Sequence, residues 1–386
     1  MSEIRRQLTA LLRERINARH GAIPFDAFME AALYEPELGY YEDAQVFGRS
    51  GDYVTAVTMG PWLALGLADL IATGWKSLGS PAHWRLLEQG GGDGQLLVDV
   101  LFTLERLGVH MPTSIVAVER SHAMRQRQQN AYERAGLNDV MQITDLADIE
   151  KHDCCLVYSN ELPDAFPVRC FVWNDKRMFE RQVAWSDSGF VWREAHEPLA
   201  DEPPIAASLS RNWTQGYISE WNPGLEGWQR QLAAVMEQGY VFSVDYGYSQ
   251  NEYYMPERRQ GSLMSHRGHK VSDDVLSEPG ACDITAHVDF TALVEAGSRY
   301  GLHALHFLTQ GAWLAQAPSV QQRMQDYAAD PGAHIDALTA AKRLLLPAGM
   351  GEVFKLCVQA RHGSEARIGY LRNFERVHTL GTPSQH

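Results

Sequence analysis

The hydrophobic pattern of this 386-residue chain changes period along its length. From Ser2 to about Leu33 apolar residues recur at helical spacing, which predicts two helices broken at Gly21–Pro24. The next stretch, YEPELGYYEDAQVFGRSGDYVT, has no period and reads as a loop. Pro61 to about Gly74 is helical again. From Arg85 onward short apolar runs alternate with helical patterns. WRLLEQ, SIVAVE, DVMQIT and a run inside HDCCLVYSNEL read as strands. GQLLVDVLFTLERLG and SHAMRQRQQNAYERAG read as helices, the second opened by Ser121 as N-cap. This alternation predicts an α/β fold with a mostly parallel sheet and helices on both faces.

The middle of the chain breaks that rhythm. VRCFVWND, RMFERQVAWSD and GFVWREA predict three short aromatic strands, an antiparallel excursion, followed by a helical section over Pro204–Gln238. YVFSVDYG is a strand ending in an acid and a glycine. A polar stretch over 248–290 shows no secondary-structure pattern and reads as a long functional loop or lid. The end returns to α/β: a helix near Phe290–Tyr300, the strand LHALHFLTQ, helices, and a last strand MGEVFKLCVQA. The expected organisation is an N-terminal helical, cofactor-closing segment (1–80), a core split between 81–165 and 238–386, and an inserted antiparallel and helical substrate region (166–237).

Composition narrows the function classes. The net charge of -14 disfavours binding to a phosphate backbone. Five cysteines without a Cys-x-x-Cys pair fit a reduced compartment and no zinc site. No apolar run is long enough to span a membrane, and the N-terminus lacks the core of a secretory signal. His266, His269, His287, Asp283 and Asp289 fit no common metal-ligand spacing, so no metal is expected. His269 or His287 could contact substrate or take a proton. Trp173, Trp185 and Trp192 lie at strand spacing, as core, interface or docking surface.

The candidate chemistry starts at LLEQGGGDGQLLVDVL, where a strand meets a helix through Gly90, Gly92 and Gly94. Glycines there admit a ligand close to the backbone, and the helix start offers free N–H groups. A dinucleotide fingerprint would need glycine where Gln95 stands, and a phosphate-binding P-loop would need Gly-Lys-Ser/Thr. Gly-x-Gly-x-Gly preceded by Glu88 instead resembles the first motif of class I S-adenosylmethionine (SAM)-dependent methyltransferases. That resemblance implies a Rossmann-like fold with SAM as cofactor and S-adenosylhomocysteine as product. Glu119, at the end of the second strand, would hold the ribose hydroxyls. Asp145 would receive the adenine amino group, with Leu146 against the ring. Asn160 and Glu161 end the fourth strand, where sulfonium and acceptor would meet. Arg120, next to Glu119, joins the cofactor-side candidates.

FMEAALYEPELGYY, GDYVT, LLEQGGGDGQLLVDVL, SNELPDAFPV, FSVDYGY, PGACDITAHVDFTALVEAG and GMGEVFKLCVQAR follow in that order from about Phe28 to Leu356. Together they resemble the MidA family, also called the NADH dehydrogenase assembly factor 7 family. Gln89 and Gly91 replace the family's usual apolar residue and its Pro or Ala. The resemblance implies methylation of a protein, arginine favoured, and links the family's mitochondrial members to respiratory complex I assembly. For a planar guanidinium held by carboxylates, Glu161 is the first candidate, Asp164 shares the role or braces the loop, and Asp52 and Asp245 are second candidates. Tyr53 and Thr55 are expected to close over the cofactor. A small-molecule methyltransferase and a SAM-binding assembly factor with little catalysis are the alternatives. A bacterial cytoplasmic protein with a protein substrate and no nucleic-acid partner is expected, and a homodimer is compatible with the sequence.

Overall fold

The computed structural model describes residues 3–42, 59–201, 203–268, 270–362 and 367–381. The principal sheet contains β1 (Arg85–Gln89), β2 (Ser114–Val118), β3 (Val140–Ile143), β4 (His152–Asn160), β5 (Met236–Tyr248), β6 (Leu302–Thr309) and β7 (Phe354–Arg361). Their spatial order is β6-β7-β5-β4-β1-β2-β3. The run from β3 to β5 is parallel, and β7 enters antiparallel between β5 and β6. β1 lies between β4 and β2, so the chain reverses its direction of travel across the sheet there. Such a switch point opens a crevice at the carboxyl ends of the strands.

The strands are apolar on both sides because helices cover both faces. One core takes Leu67 from helix Trp62–Ser77, Leu101 from Gln95–Arg106 and Leu344 from Ile335–Leu345. The other takes Leu232 from Gly224–Ala234 and Leu293 from Phe290–Arg299. Helix His122–Ala135 starts where expected: Ser121 Oγ accepts the Met124 N–H at 3.1 Å. No helix among the described residues is long and apolar enough to cross a membrane.

Three stretches differ from the sequence reading. The break at Gly21–Pro24 holds a strand, Ala22–Pro24, that pairs antiparallel with Arg177–Ser186. The section over Pro204–Gln238 is only partly helical; Tyr217–Trp221 is a strand beside Arg169–Asn174. The polar stretch over 248–290 contains a three-stranded sheet of Met264–Arg267, Lys270–Ser272 and Asp283–Thr285, and Val288–Asp289 pairs parallel with β5. These strands are two to five residues long, too short for a local period to mark them. Ser262, Ser265, Asp283, Thr285 and Asp289 are polar yet buried, which is why the stretch reads as loop. The aromatic stripe is packed rather than bare. Arg13 stacks over Trp185, Phe25 lies 5.0 Å from Trp192, and Trp173 meets Trp213 edge-on.

Candidate active site

Four adjacent parallel strands place their last residues along one edge. Pairing continues past the strand ends: Gly90 N–H donates to Val118 O, Glu119 N–H to Ile143 O, and Glu161 N–H to Val244 O. This lines up the β1–glycine loop, Glu119, Thr144-Asp145-Leu146 and Asn160-Glu161 on one cavity of about 740 Å³. That lies within the roughly 300–1,000 Å³ usual for a small-ligand site.

The loop is held by sequence-specific contacts. Gly90, Gly92 and Gly94 have left-handed φ of 69°, 54° and 83°, where a side chain would be strained. A Cβ at Gly91 would sit 2.1 Å from Glu88 Oε2, so the glycine and the inward Glu88 belong together. Gln89 accepts the Trp228 indole N–H at 2.8 Å. Gln128 donates to Gly92 O from helix His122–Ala135.

Glu88 is buried, and both carboxylate oxygens lack a hydrogen-bond partner; the Tyr158 hydroxyl approaches without forming a well-shaped bond. Burial, then the nearby Tyr158 contact working against it, then Asp93 and Glu119, leave its carboxyl pushed up to about 8. Glu119 is half-buried on the cavity wall, and its Oε1 accepts the Ser121 N–H at 2.9 Å. Crowding by protein pushes it up to about 7. The Ser121 N–H, the Arg125 charge and the Arg120 N–H work against that burial. Asp145 caps the turn Leu146–Asp148 through the Ala147 N–H and also accepts from Gln231 Nε2 at 3.0 Å. Arg120 lines the cavity, but its guanidinium is ion-paired with Glu30 and stacked 4.5 Å over the Tyr34 ring. These contacts also make it a brace between helix Phe25–Tyr34 and the end of β2.

At the end of β4 the backbone turns sharply. Glu161 has φ 50°, a left-handed conformation that costs a non-glycine residue roughly 1–3 kcal/mol and recurs at functional sites. Asn160 Nδ2 donates to Glu161 Oε1, while Asn160 Oδ1 is buried without a partner. Asp164 also lines the cavity; the Tyr246 hydroxyl donates to its Oδ2, and its Oδ1 has no partner. Asp245 lies beneath and is not among the lining residues. It accepts the Asp164 and Tyr246 backbone N–H groups. Asp245 thus braces the loop that carries Asp164. Burial raises both carboxyls; hydrogen bonds from Tyr246 and the backbone work against it at Asp164, whereas the Asp164 and Glu161 charges add to the rise at Asp245.

Further residues line the cavity, and among them the sequence marks only His266, Asp283 and His287. Trp228, Arg230 and Gln231 come from helix Gly224–Ala234, and Tyr34 and Tyr41 from the N-terminal segment. Met264, His266, Asp283, Thr285 and His287 come from the polar stretch. His287 is clamped edge-on between Tyr246 and Tyr248, and burial, then Arg258 and Lys355, lower it to about 4, so its ring is neutral at pH 7. His266 meets Thr285 Oγ1 at 3.2 Å, and Asp289 caps helix Phe290–Arg299. Beside His287 itself, the order FSVDYGY–DITAHVDF, joined by the Gly247↔Val288 pairing, is a feature that flags this end. Asp52, Tyr53, Thr55 and His269 lie outside the described residues.

A cavity with buried, unpartnered carboxylate and amide oxygens at one end, and Leu146, Leu162 and Trp228 along its wall, suits a cationic nucleoside whose donors would satisfy them. S-adenosylmethionine fits this donor set. Fold and cavity together define a class I SAM-dependent methyltransferase. The model of the family described as "Putative S-adenosyl-L-methionine-dependent methyltransferase" matches residues 66–308, and the chain belongs to that family. A crystal structure from Burkholderia thailandensis with S-adenosyl-homocysteine bound is 32% identical, covers 97% of both chains and superposes with TM-score 0.88. The mitochondrial protein arginine methyltransferase NDUFAF7 homolog of Drosophila melanogaster is 27% identical over 79% of this chain and 72% of its own. Protein arginine methyltransferase NDUFAF7 of Danio rerio is 24% identical over 92% and 87%.

Proposed function

We propose that this enzyme methylates an arginine side chain of a protein. The observation that carries the reading is the pair Glu161 and Asp164, which project into the same cavity as the glycine loop from the strained end of β4. Two carboxylates three residues apart suit a planar cation that donates on two edges. The names of the relatives in Drosophila melanogaster and Danio rerio support the same acceptor.

In this reading Glu88, Gly90, Gly92, Gly94, Glu119, Asp145, Leu146 and Asn160 hold SAM, which when bound supplies an electrophilic methyl group. Glu161 binds and turns the guanidinium. Asp164 shares that contact, and its raised proton affinity suits it to take the proton that the nitrogen loses. Tyr246 and Asp245 hold Asp164 in place. Asp52 remains a second candidate for the guanidinium, and Tyr53 and Thr55 remain candidates for closing over the cofactor. Residues 1–80 would form that closing segment, 166–237 the substrate region, and 81–165 with 238–386 the catalytic core. A bacterial cytoplasmic setting and a homodimer complete the proposal.

Incubation with methyl-labelled SAM and lysate tests it. Label in a protein band, recovered as methylarginine after hydrolysis, is expected. Glu161→Gln should reduce transfer by roughly a hundredfold or more while SAM affinity changes only a few-fold. Label in small molecules alone would establish the small-molecule alternative. SAM binding without any transfer would favour an assembly role.

A further inference from the structure

Tyr41 stands where the cofactor and acceptor halves of the cavity meet. Its hydroxyl donates to Asp283 Oδ1 at 2.8 Å, on the lid strand Asp283–Thr285. Its carbonyl accepts Ser121 Oγ at 2.7 Å. Ser121 N–H in turn donates to Glu119 Oε1 at 2.9 Å. The Tyr34 ring packs 5.3 Å from Tyr41, and the Tyr34 hydroxyl donates to Ala165 O at 2.9 Å, beside Asp164. One short N-terminal segment therefore touches the end of β2, the loop after β4 and the lid strand. Asp283 is buried and lines the cavity beside Thr285 and His266.

We propose that Tyr41 is a positioning residue that couples occupancy of the cofactor end, at Glu119, to the placement of Asp283 at the acceptor end. The inference rests on the assignment of Glu119 to the cofactor's ribose made above. A ligand that fixes Glu119 also fixes Ser121 through its N–H. Ser121 then holds the Tyr41 carbonyl through its hydroxyl, and the Tyr41 hydroxyl holds Asp283. Each link is a direct hydrogen bond, so the two ends are joined by a contiguous chain. The lid strand pairs with Met264–Arg267, so Asp283 carries Met264 and His266 with it. The acceptor side of the cavity would then be set only when the cofactor is in place.

Hydrogen exchange on the full chain, with S-adenosylhomocysteine as probe, tests the coupling without any acceptor. In the unsubstituted protein the probe should slow exchange at residues 90–94 and also in Asp283–Thr285. Tyr41→Phe keeps the ring and loses only the hydroxyl. It should leave probe affinity and the slowing at 90–94 unchanged, and lose roughly three- to tenfold of the slowing at the lid, the worth of one hydrogen bond. Asp283→Asn keeps an acceptor for Tyr41 and should retain the slowing; Asp283→Ala should lose it. Equal lid slowing with and without the Tyr41 hydroxyl, or none in the unsubstituted protein, would overturn the proposal. Failure of the probe to bind would fail the cofactor assignment instead, and absence of arginine methylation would leave the exchange result standing.

Discussion

Glu88 shows how a single residue can trade stability for binding. Its carboxylate is buried with no partner, and Gly91 is the neighbour that makes room for it. An acid whose folded pKa lies above its unfolded value holds its proton more tightly when folded. Below about 4.5 both states are protonated, and Glu88 contributes nothing. As pH rises toward 8 the unfolded chain releases the proton first, so stability falls. Above 8 the penalty is complete, on the order of 5 kcal/mol. Glu88→Gln removes the charge with little change of shape. Urea denaturation of the ligand-free variant should show little change near pH 4.5 and a gain of several kcal/mol at pH 8.5. Its SAM affinity should fall, because the cationic ligand loses its counter-charge. An equal stability shift at both pH values would remove the desolvated carboxylate from this account.

At the scale of elements, the acceptor end depends on one close approach. Gly247 of β5 pairs with Val288, and a Cβ there would sit 2.1 Å from Val288 O and 2.7 Å from Val288 N. That pairing pins the segment carrying Asp283, Thr285 and His287 to the main sheet. Gly247→Ala should cost about 1–3 kcal/mol of stability and abolish most methyl transfer, with SAM affinity kept within a few-fold. Titration with SAM alongside a labelling assay checks this; parallel loss of both would show that the two ends are not separable. The same element marks the limit of what the sequence discloses. The strands of the principal sheet are legible because each is an apolar run followed by a helical period, and the ends of β1, β2 and β3 announce their chemistry through glycine and acid. Glu161 and Asp164 are visible as candidates, but the left-handed turn at Glu161 and the bracing place of Asp245 follow from long-range packing. Trp228, Gln231, Tyr41 and Asp283 reach the cavity from elements whose positions no local period encodes. The lid strands are three or four residues long, and Met264–Arg267 and Asp283–Thr285 bury Ser265, Asp283 and Thr285 beside Ile284, so polar positions sit where an apolar pattern would have revealed a strand.

For the molecule as a whole, β6 is the outer strand of the principal sheet, and an uncovered edge invites pairing with another chain. The C-terminal segment covers it. Arg376 N–H donates to Phe307 O at 2.8 Å, and Glu375 Oε1 accepts the Phe307 N–H at 2.7 Å. Glu375 Oε2 lies 2.5 Å from Nδ1 of fully buried His306, whose Nε2 accepts the Ile368 N–H. Ile368 and Leu371 enter the core on one face of the sheet, and Leu380 enters the core on the other. The segment thus wraps the edge and ties both layers together, with Glu375 as its polar anchor. Burial works to raise the Glu375 carboxyl, but His306 and the Phe307 N–H hold it below its ordinary value of 4.5. A depressed acid contributes stability that is present above its unfolded pKa and is lost as pH falls through its folded one. The contribution should therefore fade below about pH 4.5. Glu375→Ala leaves the Phe307 N–H and the His306 ring without their acceptor. It should destabilise the protein by about 3 kcal/mol at pH 7, flatten the loss of stability below pH 4.5, and promote concentration-dependent association through the bared β6. Chemical denaturation at pH 7 and pH 4, with light scattering over a concentration series, checks all three. A variant as stable as the parent at pH 7 would show that the strap is held by its apolar residues alone.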